Sequence, residues 1–116
     1  MQASRDKEKN KTFSAQGVRI LSAEYTDVPA LTAALVGTHV VISTISLFAI
    51  DAQVPIAEAA KAASAKLFLP SEFGGPTDNL QGVFGAKGAL HAKLREVGPP
   101  QLFVYTGPFS DYSWGP

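Results

Sequence analysis

Cysteine is absent from the 116 residues, and with it go disulfides, thiolate metal ligands and a cysteine nucleophile. No metal site is expected. A surplus of either charge is missing too. Ten basic and ten acidic side chains cancel, so no global field draws the chain to nucleic acid or to an anionic membrane. No apolar run approaches the roughly 20 residues that span a bilayer. The stretch Met1 to Lys11 is polar and charged, unlike a secretory leader with its apolar centre, and the default compartment is the cytoplasm. What remains is a composition of 46% apolar and 17% charged residues, the balance of an ordinary folded protein. The length suits one domain with one core and is too short for two.

Residues 1–16 hold Arg5, Lys7, Lys9 and Lys11 among few apolar positions, which reads as an exposed arm or a short polar helix. Val18 to Leu21 reads as a short strand. Asp27 is placed to cap a helix by accepting from the free N–H groups of the next turn. Pro29 is tolerated in that first turn, and Gly37 is placed to end the helix. Leu31, Ala34 and Leu35 recur between them at helical spacing. His39 to Ile45 is a nearly continuous β-branched run, the pattern of a strand buried on both faces. An alanine-rich helix follows over roughly Ala52 to Ser64, then a strand at Lys66 to Leu69 that Pro70 stops. A turn-rich loop over 71–82, a helix from about Phe84 to Val97, and a fourth strand at Gln101 to Thr106 complete the series. Strands alternating with helices imply a parallel sheet covered by helices.

In such a sheet ligands sit beyond the carboxyl ends of the strands. Those ends are Ser43-Thr44-Ile45-Ser46, Pro70-Ser71-Glu72-Phe73-Gly74 and Thr106-Gly107-Pro108-Phe109. Together they form one candidate site, although strand ends need turn residues in any case.

The residues then become more specific. Gly17-Val18, Asp27, Leu31, Ala33-Ala34-Leu35, Gly37 and Val40-Val41-Ile42-Ser43 are followed by Gln53 and Ala59-Ala60-Lys61-Ala62-Ala63. Next come Lys66-Leu67-Phe68-Leu69-Pro70-Ser71-Glu72-Phe73-Gly74, then Lys87, Leu94, Gly98 and Tyr105-Thr106-Gly107-Pro108-Phe109-Ser110-Asp111-Tyr112. This ordered series, over about residues 12 to 113, resembles the NmrA-like and isoflavone-reductase-like family of atypical short-chain dehydrogenases, and its fungal branch in particular. The resemblance implies an α/β fold, here a partial Rossmann-like, doubly wound parallel sheet without its first strand and Gly-rich loop. It divides the chain into a polar arm, 1–16, and a partial NAD(P)-binding Rossmann domain, 17–116. For the parent protein it implies NADPH-dependent reduction of aromatic or phenylpropanoid-like small molecules. Other members are non-catalytic NAD(P)-sensing regulators.

Lys87 matches the family's catalytic lysine. On an ideal helix Ala86, Leu90, Leu94 and Val97 make one buried stripe with Lys87 on its shoulder. Its stem can lie on the core while the ammonium reaches the sheet edge. Near NADPH, that ammonium would bind ribose or polarise and protonate a substrate oxygen. The plainer alternative is a solvated lysine. The resemblance places Thr44, Ile45, Pro70, Ser71, Phe73, Gly107 and Phe109 against the cofactor. Arg5 and Lys11 fall where a basic pair favours the 2′-phosphate of NADPH, with a solvated arm as the alternative. Glu24 and Tyr25 border the adenine. Glu72 is expected to be structural, as a local cap or surface ion pair, and His91 to be an exposed helix histidine. Asp111 and Tyr112 reach toward substrate, with Tyr112 equally suited to plug an apolar surface.

Gly82, Gly85 and Gly88 spell GxxGxxG, but a pyrophosphate loop must directly follow a strand and open a helix. Here the preceding strand ends over ten residues earlier, so the spacing is read as coincidence. Without the genuine loop, the chain alone is expected to be weakly active or inactive. The Val18 segment must then either pair beside the His39 strand or stay unpaired.

Overall fold

The computed structural model describes residues 7–73 and 82–107. Its first helix, α1 (Lys7–Ala15), has Glu8 in the first turn, where a carboxylate meets unpaired N–H groups favourably. Glu8 also pairs with Lys11 at 3.3 Å, both side chains being exposed. No residue of α1 is buried. Gly17 ends the helix at φ +84°, with Val18 N–H donating to Phe13 O at 3.0 Å and Gly17 N–H to Ser14 O at 3.0 Å. This is a Schellman closure, which favours glycine at the left-handed position.

Val18 to Leu21, expected as a strand, forms none. Val18 is 38% exposed, and the described sheet is built from other residues. A β-branched run becomes a strand only where a neighbouring edge accepts its ladder, and solvent satisfies exposed amides as well.

Helix α2 (Val28–Leu35) starts as expected. Asp27 accepts from the Ala30 N–H at 3.0 Å, and Pro29 occupies the first turn. Leu31 and Leu35 are buried along one face. Strand β1 (Val40–Ile42) runs parallel to β2 (Leu67–Leu69), with Val40 opposite Leu67, Val41 opposite Phe68 and Ile42 opposite Leu69. The long strand expected over His39 to Ile45 is thus three residues, and it alternates: Val41 is buried while Val40 and Ile42 are 47% and 58% exposed. Its apolar composition suits cover on both faces, yet among the described residues helices cover one. The strand expected over Gln101 to Thr106 is reduced to a single parallel bridge, Gln101 to Phe68. Phe68 N–H donates to Pro100 O at 2.9 Å and Leu102 N–H to Phe68 O at 3.1 Å.

Between the strands a 3-10 segment, Leu47–Ala52, leads into α3 (Gln53–Ala62). Ala57, Ala59 and Ala60 are fully buried, because side chains this small let α3 lie close to α2 on one side and to α4 (Gly82–Val97) on the other. Leu31 and Leu35 from α2, Ile56 from α3, Leu94 from α4, and Val41 and Phe68 from the sheet complete one core. Each such side chain contributes about 1.5–3 kcal/mol of burial. Among the described residues no helix is long and apolar enough to cross a membrane.

Candidate active site

Pro70 cannot donate to the sheet ladder, so β2 stops and the chain turns across the carboxyl ends of both strands. Glu72 N–H donates to Pro70 O at 2.8 Å, closing a three-residue turn. Phe73 follows at φ +34°, a left-handed conformation that costs a bulky residue about 1–3 kcal/mol. Its N–H donates to Val104 O at 3.1 Å, which ties the loop to the segment after Gln101. Two further bonds fix Ser71: its N–H donates to Gln53 Oε1 at 2.6 Å, and its Oγ donates to Ile45 O at 3.0 Å. The ends of β1 and β2 and the start of α3 are therefore joined through one serine.

Helix α4 closes the third side. Lys87 Nζ donates to Glu72 O at 3.0 Å, and His91 Nε2 lies 2.6 Å from Glu72 Oε1. Residues four apart on a helix share a face, so successive turns of α4 take the carbonyl and the carboxylate of the same residue. Both partners of the Glu72–His91 pair are almost fully buried, with side chains 1% and 3% exposed. At 2.6 Å the Glu72 carboxyl group and the His91 ring share one short, buried hydrogen bond. Thr44, Ser71, Glu72, Phe73 and Lys87 line an open cleft of ≈ 420 Å³.

The structure thus brings together Thr44, Ile45, Pro70, Ser71, Phe73 and Lys87 from the sequence-based site. Gly107, at φ +71°, ends the described segment after Val104. Lys11 stands on the exposed α1 with Glu8. Arg5, Phe109, Asp111 and Tyr112 lie outside the described residues. Of the adenine-side pair, Glu24 is exposed, while Tyr25 is half-buried against the core. Gly82, Gly85 and Gly88 all fall within α4, which removes them as a strand-to-helix phosphate loop.

Two expectations are corrected. His91, expected on the surface, is 2% exposed. Its ring packs at 4.4 Å from that of Phe103, whose segment covers this side of α4. Glu72 is structural but is neither a cap nor a surface pair; it is 3% exposed and bound to His91. Gln53, 1% exposed, had no role read from sequence. The one available signal was an amide at the start of an otherwise alanine-rich helix. Ser43 Oγ is buried at the end of β1 with no hydrogen-bond partner among the described residues. Among those residues no cluster of three His, Asp or Glu is placed to hold a metal.

Residues 2–114 match the NmrA-like family. A phenylcoumaran benzylic ether reductase from Pinus taeda is 35% identical over 109 residues, covering 88% of this chain and 35% of that protein. Crystal structures of pinoresinol-lariciresinol and phenylcoumaran benzylic ether reductases include a chain that superposes with a TM-score of 0.82 at 27% identity, covering 95% of this chain and 39% of that one. The binary complex of leucoanthocyanidin reductase with NADPH from Vitis vinifera superposes with a TM-score of 0.73 at 25% identity, covering 90% of this chain and 38% of that one. This chain therefore spans little more than a third of the length of the proteins it matches, and the partial parallel sheet is the corresponding part of their Rossmann-like fold. With the match running through nearly all of its length, this chain belongs to the NmrA-like family.

Proposed function

We propose that this chain supplies the nicotinamide and substrate side of an NADPH-dependent reductase acting on aromatic, phenylpropanoid-type small molecules. The observation that carries the reading is Lys87, whose ammonium is held by Glu72 O at 3.0 Å in a cleft beyond the strands' carboxyl ends. A parallel sheet of this kind offers its ligand site there. The related reductases, one of them in complex with NADPH, support the same reading.

The residues fit one half of the cofactor. The exposed Thr44 lines the cleft, and its hydroxyl suits a ribose or carboxamide. Thr44, Ile45, the Pro70–Phe73 backbone, Gly107 and Phe109 would hold the nicotinamide end, and Arg5 and Lys11 the 2′-phosphate. Among the described residues no turn offers a pyrophosphate cradle. The N-terminus of α2 is closed by the Asp27 carboxylate, which repels a phosphate where the helix dipole would attract one.

NADPH, when bound, supplies the hydride. Lys87 has three N–H donors, and Glu72 O takes one. A second is available to polarise a substrate oxygen and deliver a proton as negative charge develops there. The loop that carries Glu72 O would hold the ammonium at the cleft wall.

The test is NADPH consumption, with an aromatic phenylpropanoid substrate, by a protein in which a glycine-rich strand–turn–helix unit precedes this chain. Lys87→Ala should lower turnover by about 10²-fold or more and leave NADPH affinity little changed. Unchanged turnover would overturn the assignment. A non-catalytic NAD(P) sensor, which has no need of an ammonium at this place, would bind NADPH without consuming it.

A further inference from the structure

Lys87, His91 and Arg95 recur every four residues and form one row along α4. Each engages a segment beyond a strand end. Lys87 takes the Glu72 carbonyl, His91 the Glu72 carboxylate and the face of Phe103, and Arg95 sits 5.4 Å over the same Phe103 ring.

The Lys87 bond alone does not explain a fixed ammonium. Lysine gives up much rotamer freedom in one geometry, and a single bond to a carbonyl recovers little of it. The bond holds the ammonium only if its acceptor is itself immobile. That acceptor lies on a strained stretch, between the closed Pro70–Glu72 turn and the left-handed Phe73. Such a conformation persists only where its surroundings over-determine it. The buried 2.6 Å bond to His91 constrains Glu72, and it comes from the turn of α4 next to Lys87.

We propose that His91 is a positioning residue for Lys87: by gripping the Glu72 carboxylate it fixes the Glu72 carbonyl in register with α4 and so sets where the Lys87 ammonium stands. This rests on the reading of Lys87 given above, since a placed ammonium matters for function only if it meets substrate or cofactor. His91 is not among the residues lining the cleft and acts through the loop.

The test is competitive labelling of the full chain with an amine-acylating reagent. Lys87 is followed by peptide mass spectrometry against the exposed Lys61 and Lys66 as internal references. In the unsubstituted chain, Lys87 should react more slowly than either. His91→Phe keeps a ring but loses the donor, and should raise Lys87 labelling by about tenfold relative to the references. His91→Gln, which returns an N–H donor near the Nε2 position, should restore protection. Glu72→Gln keeps shape and one acceptor oxygen without the charge and should fall between. Equal Lys87 labelling in all four proteins would overturn the proposal, as would failure of His91→Gln to protect when circular dichroism shows it folded.

In the complete enzyme His91→Phe should lower kcat with little change in substrate KM, and His91→Gln should recover it. A purely structural histidine would show no such rescue. Labelling needs neither cofactor nor substrate, so the two readings fail separately. Loss of protection in His91→Phe together with unchanged turnover in Lys87→Ala would sink the catalytic role and keep the clamp.

Discussion

Helices α1 and α4 are built from opposite materials. α1 (KEKNKTFSA) carries three lysines and one glutamate and buries nothing. α4 (GVFGAKGALHAKLREV) carries three glycines in its first seven positions, each costing about 1 kcal/mol relative to alanine. Yet α4 runs to sixteen residues and α1 to nine. Tertiary anchoring makes the difference. Leu94 is fully buried against α3 and the sheet, and the buried Glu72–His91 hydrogen bond ties the middle of the helix to the loop after β2. Together these offset the glycines. The helix that carries the candidate chemistry thus depends on the site it helps to form, whereas the N-terminal helix buries none of its residues.

Breaking the anchored side should have the largest effect. Leu94→Ala empties a closed position and should lower stability by about 2–5 kcal/mol, read by urea unfolding. A smaller loss should follow Gln53→Leu, which leaves the buried Ser71 N–H without its acceptor at a cost of about 1–3 kcal/mol. That substitution should also loosen the Pro70 to Phe73 loop, visible as faster amide exchange at Ser71. Removing residues 1–15 should change stability least, by less than about 0.5 kcal/mol, because no side chain of α1 is buried. A loss as large as that of Leu94→Ala would show that α1 contributes to the core after all.

The same contrast explains what could be read from the sequence. Features set by a few neighbouring residues were legible: the Asp27 cap, the stop at Gly37, the break at Pro70, the helix carrying Lys87, and the mismatch of Gly82, Gly85 and Gly88 with a phosphate loop. Features that need a distant partner were not. Val18 to Leu21 has strand-forming residues and no edge to join. Val40 and Ile42 read as doubly covered, although among the described residues helices lie on one face of the sheet. His91 looks like a surface residue until the loop at Glu72 and the ring of Phe103 arrive from 19 residues before it and beyond the end of α4. The Ser71 clasp on Gln53 spans 18 residues, a separation at which helical or strand periodicity carries no information. The family resemblance named Thr44, Ser71, Phe73 and Lys87, which line one cleft, and gave no sign of the bonds that hold them there.

The central claim, that the cleft of Thr44, Ser71, Phe73 and Lys87 receives the nicotinamide end of the cofactor, is tested most directly by titrating reduced nicotinamide mononucleotide into the isotopically labelled chain. This probe has no pyrophosphate or adenosine, so it asks only about the half of the site that the described residues fit. The expected result is a saturable set of chemical-shift changes centred on Thr44, Ser71, Phe73 and Lys87, lost on Lys87→Ala at Lys87 alone and kept elsewhere. Shifts that bypass these residues, or none at concentrations that perturb the exposed Lys11 and Lys61, would contradict it.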